Sequence, residues 1–418
     1  MDLLTVRSAV WLASLLGVGC FHRFFEGAAP LSLDSGVALD ARPIIDGGDD
    51  CLGGCSGTTP YCDANSHLCV ACRDGGDCSG SFGCSLEKHV CAPCLLHREC
   101  ATSVCKLDGS CALLSELLIV DNSASCQTSA HPLADLPYCE LADALPQLDL
   151  NHVILVVVGS ERPYRALALA PSLTRTLLVG RDQAGRRARV SGLSVGPAAI
   201  AASVAIDNID IVNAADDGFD CDVGSGKPLS VALTDVHIHD SKGWALVGRG
   251  CDLNFDRGLV GPHNQLGGLS LASSSFKLTN LAIFQNEGSA LTVEQNRPSG
   301  ELGFSTLVGN RGAISLMSGS PFSVSSSIVI QNGAGQLSGA LQLSQVVVGK
   351  EDSGMLPGTV HATPVFTGSG YQLAMDDPAN QGDTGCCIDK ASSGPARDAF
   401  GNRRPRGASY DIGAHEAQ

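Results

Sequence analysis

The sequence predicts an all-β solenoid of stacked parallel strands, preceded by a small disulfide-rich domain. Short apolar segments that end in Asn or Asp recur every 22–27 residues through the middle of the chain, and twelve cysteines crowd into residues 51–111. Hydrophobic residues make up 44% of the 418 residues, enough for a sizeable core, and the 49 glycines suit a fold with many tight turns.

The repeated segments establish the solenoid, which we place at residues 118–418. Within each segment apolar residues alternate, as they do in half-buried strands. The period is too short for repeats built from helix pairs, and the leucine-rich-repeat signature is absent. Stacked coils place equivalent residues about 4.8 Å apart, so the terminal Asn side chains are expected to hydrogen-bond up the stack. The segments end at Asn213, Asp240, Asn264, Asn286, Asn310 and Asn332.

Residues 51–111 carry a cysteine pattern that repeats after 22 residues. Each unit is too small to bury a core, so disulfides are expected to replace one. The Cys-x-x-Cys pairs also fit zinc-ribbon spacing, but export of the chain favours disulfides. The pattern resembles short cysteine-rich repeats of secreted bacterial proteins, and the sequence leaves the connectivity open. Cys62, Cys69, Cys72 and Cys78 recur as Cys84, Cys91, Cys94 and Cys100, and a shortened copy follows at Cys105 and Cys111.

The N-terminus predicts export. Residues 1–19 have the pattern of a signal peptide, because the apolar run after Arg7 is too short to span a bilayer. Cys20 follows directly and resembles the lipidated cysteine of bacterial lipoproteins, although Gly17 stands where that family usually has Leu. An ordinary cleavage site nearby is the alternative. Residues 20–50 are predicted to be the anchor cysteine and a flexible acidic tether, with a pro-segment or a packed loop as the alternative.

Over roughly residues 120–350 the period and the turn pattern resemble the right-handed parallel β-helix of pectate-lyase-like proteins. Residues 398–416 resemble the terminal motif of bacterial β-helix proteins of the choice-of-anchor Q type, which implies a motif that closes the last coil. In that motif Arg403 and Arg404 are expected near Asp411 and Glu416.

A short helix is predicted at residues 140–148, where three leucines have helical spacing and Pro146 limits the length. The helix is expected to cover the open end of the first coil. The leucines are Leu141, Leu145 and Leu148.

Two groups of residues are candidates for chemistry. Asp210 and His237 fall at equivalent outward positions of successive coils, and with Asp217 they are the predicted catalytic residues of a polysaccharide lyase or glycoside hydrolase. Ordinary polar residues on a solvated face are the simpler interpretation. The second group is a predicted calcium site, with an acidic turn as the simpler interpretation; it consists of Asp216, Asp217, Asp220 and Asp222.

Further cysteines suggest bonds within the solenoid. Cys221 and Cys251 occupy matching places on neighbouring coils and are predicted to pair. Cys126 and Cys139 are likewise predicted to pair, whereas the adjacent cysteines at 386 and 387 bond either to each other or elsewhere. If Cys20 carries lipid, 18 of the 19 cysteines remain, and an even number can pair completely.

Charge narrows the possible partners. A net charge of −16 argues against binding to nucleic acid and gives no basic surface for an anionic membrane, so the membrane is expected to be reached only through the lipid anchor. The sequence predicts a lipoprotein of the cell envelope, in the outer membrane or else secreted. Its β-helix is expected to be a structural, adhesive or binding scaffold for polysaccharide or another surface component. An enzyme is the alternative, and no cofactor other than calcium is suggested.

Overall fold

A computed structural model describes residues 51–417, except 52–53, 64–65, 107, 123–125, 129–135, 150–152, 172, 199, 225, 295–299, 317–321, 334–336, 339–340, 350–355, 369–370 and 383–384. The predicted signal peptide, Cys20 and the acidic tether lie outside the described residues.

The cysteine-rich segment, residues 51–111, is built from two small hairpins and three-residue turns of 3-10 helix. The hairpins are β1 (Tyr61–Asp63) with β2 (Leu68–Val70), and β3 (Gly83–Ser85) with β4 (Val90–Ala92). The 3-10 turns span Gly75–Asp77 and His97–Glu99, and a third, Leu114–Glu116, follows the segment.

All twelve cysteines of this segment form disulfides, so the zinc interpretation is wrong. Each bond closes a loop of 11–14 residues, a size for which about 3 kcal/mol of stabilisation is typical. The pairs are Cys51–Cys62, Cys55–Cys69, Cys72–Cys84, Cys78–Cys91, Cys94–Cys105 and Cys100–Cys111.

The rest of the chain forms parallel strands that return once per coil. They are β5 (Leu117–Val120), β6 (Ile154–Val158), β7 (Leu167–Leu169), β8 (Arg175–Arg181), β9 (Ala188–Val190), β10 (Leu193–Val195), β11 (Ala202–Asp207), β12 (Ile209–Val212), β13 (Phe219–Asp222), β14 (Leu229–His239), β15 (Trp244–Arg249), β16 (Asp252–Val260), β17 (Gly267–Ala272), β18 (Ser275–Phe284), β19 (Ser289–Glu294), β20 (Gly300–Gly303), β21 (Thr306–Val308), β22 (Gly312–Leu316), β23 (Phe322–Ser325), β24 (Ile328–Ile330), β25 (Leu337–Ser338), β26 (Leu341–Ser344), β27 (Val346–Val348) and β28 (Thr359–His361).

These strands stack into two sheets. Sheet A has eight strands, in the order β25-β22-β19-β17-β15-β13-β10-β7. The other sixteen form one sheet that bends at residues of positive φ, such as Asn208, Asp235 and Asn280. We call the half before the bend sheet B and the half after it sheet C. The predicted parallel solenoid is confirmed, with about eight turns, and connections between parallel strands are right-handed almost without exception.

The interior of the coils is filled by the inward residues of all three faces. A short helix covers the first coil of the solenoid. Helix α1 (Leu141–Ala144) continues into a 3-10 turn, Leu145–Gln147, and Leu141 is 1% exposed within the core. Leu145 and Leu148 pack against the same core. The predicted helix and its covering role are therefore confirmed.

Three further disulfides lie outside the cysteine-rich segment. Cys221 and Cys251 are bonded across neighbouring coils, with 6.4 Å between their Cα atoms, as the sequence suggested. The remaining bonds are Cys126–Cys139, also as suggested, and the adjacent pair Cys386–Cys387.

An asparagine ladder runs up one corner of the solenoid. The Nδ2 atoms of successive Asn residues donate to the next Oδ1 at 2.8, 2.8 and 2.9 Å. The ladder joins Asn264, Asn286, Asn310 and Asn332.

The predicted ladder register is wrong at its first two positions. Asn213 and Asp240 stand one residue earlier, at corners with φ of 54° and 58°. Ser241 occupies the ladder position instead, and its backbone N–H donates to Oδ1 of Asn264 at 3.0 Å. Asn and Asp suit both the left-handed corner and the ladder, so residue type alone did not separate the two.

Two parts of the chain fold back over the outer faces. Val104 and Ala112 of the cysteine-rich segment and its flank pack against the outward apolar residues of sheet B, including Val179 and Ala205. The C-terminal segment, residues 362–417, packs against the later coils of sheet C. Its apolar contacts there include Phe284, Val308, Ile328, Ile330 and Val347.

The described contacts of the motif at 398–416 lie along the side of the solenoid, and closure of the last coil by this motif stays a prediction. The backbone N–H of Ala414 donates to Oγ1 of Thr306 at 3.0 Å, a contact between residues 108 positions apart. Arg404 lies beside Glu416 as predicted, with 3.5 Å between Nε and Oε2, and both side chains are buried. Arg403 instead forms a hydrogen bond with Glu87 of the cysteine-rich segment, so the C-terminal segment and the cysteine-rich segment are in contact.

Candidate functional site

The outer face of sheet C changes from polar to apolar along the stack. Arg189, Asp210 and His237 pair in register on successive coils, and Leu259 and Ala282 continue the same outward row. The C-terminal segment packs on the apolar part. The C-terminal segment therefore does not pack on the polar part of this face.

A polar cluster occupies this part of the face. Nε of Arg187 donates to Oδ1 of Asp210 at 2.6 Å, and its second terminal nitrogen donates to the backbone oxygen of Asp235 at 2.6 Å. Nδ1 of His237 lies 3.3 Å from Oδ1 of Asp210, and Nε2 lies 3.8 Å from Oδ1 of Asp235. The predicted proximity of Asp210 and His237 is therefore observed. Arg187 and Asp235 were not foreseen, because both belong to coil corners that the strand pattern does not align.

Burial governs the charges of this cluster. It raises the pKa of Asp210 and Asp235 against the opposing charge of Arg187. Burial also lowers the pKa of His237 to about 3, with a further contribution from Arg187. The imidazole is thus neutral near neutral pH and a weak base there, which is a poor match to general-base catalysis.

Asp217, the third predicted catalytic residue, lies apart from this cluster. It precedes β13, and its Oδ1 accepts the backbone N–H of Trp244 at 2.8 Å. Burial raises its pKa, and the charges that act on it are those of Asp216 and Arg249. The structure therefore does not bring Asp217 to His237.

No three of the four acidic residues of the predicted calcium site have ligand atoms within 4.8 Å of one another. Asp220 and Asp222 lie on strand β13, and Arg249 approaches them at 2.9 and 3.8 Å. Among the described residues, every set of three or more potential ligands within 4.8 Å of one another consists of disulfide-bonded cysteines. The arrangement adds no support to calcium binding by Asp216 and Asp217.

A second group, the corner group, was missed by the sequence analysis. It consists of His239, Asp240 and His263 at the corner after sheet C. Nδ1 of His239 lies 2.5 Å from Oδ2 of Asp240, and Nδ1 of His263 lies 3.1 Å from Oδ1. The predicted alignment of Asp240 with Asn264 is off by one residue, so it did not place His263 opposite Asp240.

Two surface cavities lie elsewhere. One is bordered by Leu148, Leu169 and Leu173 beside the helix cap, and the other by Leu341 and Leu356 near the last coils. Neither includes a residue of the polar cluster or the corner group. In the described part of the chain, no helix has the length and apolar character needed to cross a membrane.

The fold and these sites define a disulfide-rich parallel β-solenoid protein. No protein-family model matches the chain, and no curated protein sequence matches it. A crystal structure of pectate lyase Pel9A is similar, with a TM-score of 0.43 and 12% sequence identity over 72% of this chain and 96% of that one. So distant a similarity says nothing about activity, and the resemblance of residues 398–416 to choice-of-anchor Q proteins stays a prediction.

Proposed function

We propose that the protein is an exported, lipid-anchored scaffold of the cell surface whose solenoid presents a rigid binding face to polysaccharide or another surface component. One observation carries the choice of scaffold over enzyme: the candidate catalytic groups are already bonded within the protein. Asp210 is held by Arg187, and Asp217 accepts a backbone N–H. Such bonds stiffen the stack and leave these carboxylates little freedom to serve a substrate.

The cysteines support export. The nine disulfides suit an oxidising compartment and use all eighteen cysteines from Cys51 onward. Cys20 is the nineteenth and has no partner among them. A cysteine directly after an apolar run is what a lipid anchor requires, and Cys20 stands at that position.

Metabolic labelling tests the anchor. A bacterial host expressing the full chain and fed an alkyne analogue of palmitate should yield labelled protein in the membrane fraction. Cys20→Ala should abolish the label, whereas Asp34→Ala in the tether should keep it. Equal labelling of the wild type and Cys20→Ala, or none in either, would refute the lipid anchor.

A polysaccharide lyase or glycoside hydrolase is the second candidate, and the 3.3 Å approach of Asp210 and His237 favours it. The mature protein should be incubated with a panel of polysaccharides, with and without Ca²⁺, and assayed for new reducing ends and for unsaturated products. The scaffold proposal expects binding to some polymers without cleavage. Cleavage that is lost in His237→Gln but kept in Thr292→Ala, on sheet A, would overturn the scaffold in favour of the enzyme.

A further inference from the structure

The corner group joins two histidines from neighbouring coils. His239 is the last residue of β14, and Asp240 and His263 are corner residues with φ of 58° and 64°. The backbone N–H of Asp240 donates to the oxygen of Pro262 at 3.0 Å, which fixes the two corners side by side. The stack itself therefore sets the position of both imidazoles.

A single carboxylate orients both rings. Each oxygen of Asp240 faces the Nδ1 atom of a different histidine. An ionised carboxylate only accepts hydrogen bonds, so a neutral imidazole bonded to it through Nδ1 has its proton on that atom and presents a lone pair on Nε2.

Both imidazole side chains are partly exposed. The His239 side chain is 32% exposed and that of His263 is 67% exposed. Within the described residues, neither Nε2 atom has a hydrogen-bond partner. His237 lies on the same outward row of β14, but its Nε2 faces Asp235 at 3.8 Å.

This arrangement matches the outer coordination shell of metal sites. A histidine that binds a metal through one ring nitrogen usually donates the other N–H to a carboxylate, which fixes the tautomer and the ring orientation. Imidazole nitrogen suits zinc, copper and nickel, whereas calcium prefers oxygen ligands. Two histidines oriented by one aspartate are therefore unlike the acidic calcium site expected from the sequence.

The geometry points to a surface site for a divalent transition-metal ion, bound by the Nε2 atoms of His239 and His263. Asp240 is a positioning residue that acts through the two rings. Water completes the coordination, which leaves positions through which a ligand from a partner molecule can join the ion.

Calorimetric titration with Zn²⁺ tests the site, using the mature chain without a polyhistidine tag and with any free Cys20 thiol alkylated. One ion per chain should bind at this site. His239→Gln and His263→Gln should each lower the affinity about tenfold or more, and Asp240→Asn should lower it by about tenfold. His67→Gln, an exposed histidine of the cysteine-rich segment, should leave it unchanged.

Copper provides a readout that a purely structural role would not change. The electron paramagnetic resonance spectrum of bound Cu²⁺ should show splitting from two nitrogens, reduced to one in each single variant. Excess Ca²⁺ should not displace the ion. The proposal is overturned if the wild type shows no saturable Zn²⁺ binding, or if the double variant H239Q/H263Q binds Zn²⁺ as the wild type does.

Discussion

Removal of one rung of the asparagine ladder is expected to weaken the whole stack. Asn286 is 3% exposed, and its Nδ2 donates to Oδ1 of Asn310 at 2.8 Å and to the backbone oxygen of Val260 at 3.2 Å. Its Oδ1 accepts from Nδ2 of Asn264 at 2.8 Å. Asn286→Ala removes all three hydrogen bonds, each contributing about 1 kcal/mol. It also leaves a buried N–H of the Asn264 amide without its acceptor, at a further cost of about 1–3 kcal/mol. We expect a total loss of about 4–6 kcal/mol.

Chemical denaturation of the mature protein, followed by circular dichroism of the β-sheet band, measures this loss. Repeat proteins gain much of their stability from contacts between neighbouring coils, so the effect should extend beyond the mutated coil. The matched control is Asn213→Gly, at an exposed corner with φ of 54°, where glycine adopts the same backbone without strain. The control should lose under about 1 kcal/mol. Equal losses for Asn286→Ala and the control would refute the reasoning.

Three further changes test other parts of the fold. Glu416→Gln leaves the buried guanidinium of Arg404 without its carboxylate and should cost about 3–5 kcal/mol in denaturation, so a loss near zero would contradict the buried pair. Burial raises the pKa of Asp411 from 3.8 to about 6, so its protonation stabilises the fold fully below pH 3.8, and this stabilisation is lost as pH rises through 6. Asp411→Asn should remove that part of the pH dependence in thermal melts, and an unchanged profile would exclude Asp411 as its source. Replacing Cys221 and Cys251 together by Ser should cost about 3–4 kcal/mol, because their bond closes a loop of 30 residues, and equal stability of the variant would refute this.

The sequence predicted one contact of the candidate site and missed the rest. Asp210 and His237 align because both lie at the same outward position of β-strands, where the alternation of side chains is strict. Arg187 and Asp235 lie at corners, whose lengths differ between coils. A one-residue difference there changes which side chain faces the cluster, so strand patterns alone did not identify them.

The ladder shows the same limit at a finer scale. Asn264 and Asn286 were placed correctly, but Asn213 and Asp240 were assigned one residue from their true role. Both the corner and the ladder position favour a short polar side chain. Only hydrogen bonds between coils distinguish them, and these depend on how the coils stack.

By itself the sequence determined the solenoid and the disulfide-rich segment, because strand alternation, turn residues and cysteine spacing are properties of short stretches of chain. Only the tertiary structure decided which outer faces are covered and which polar groups remain accessible. The contact between Arg403 and Glu87 joins residues 316 positions apart. That contact is fixed by the packing of distant segments, for which no local pattern in the chain provides a signal. The pairing of His263 with Asp240 depends on the stacking register of neighbouring coils, which differs by one residue from the predicted alignment of Asp240 with Asn264.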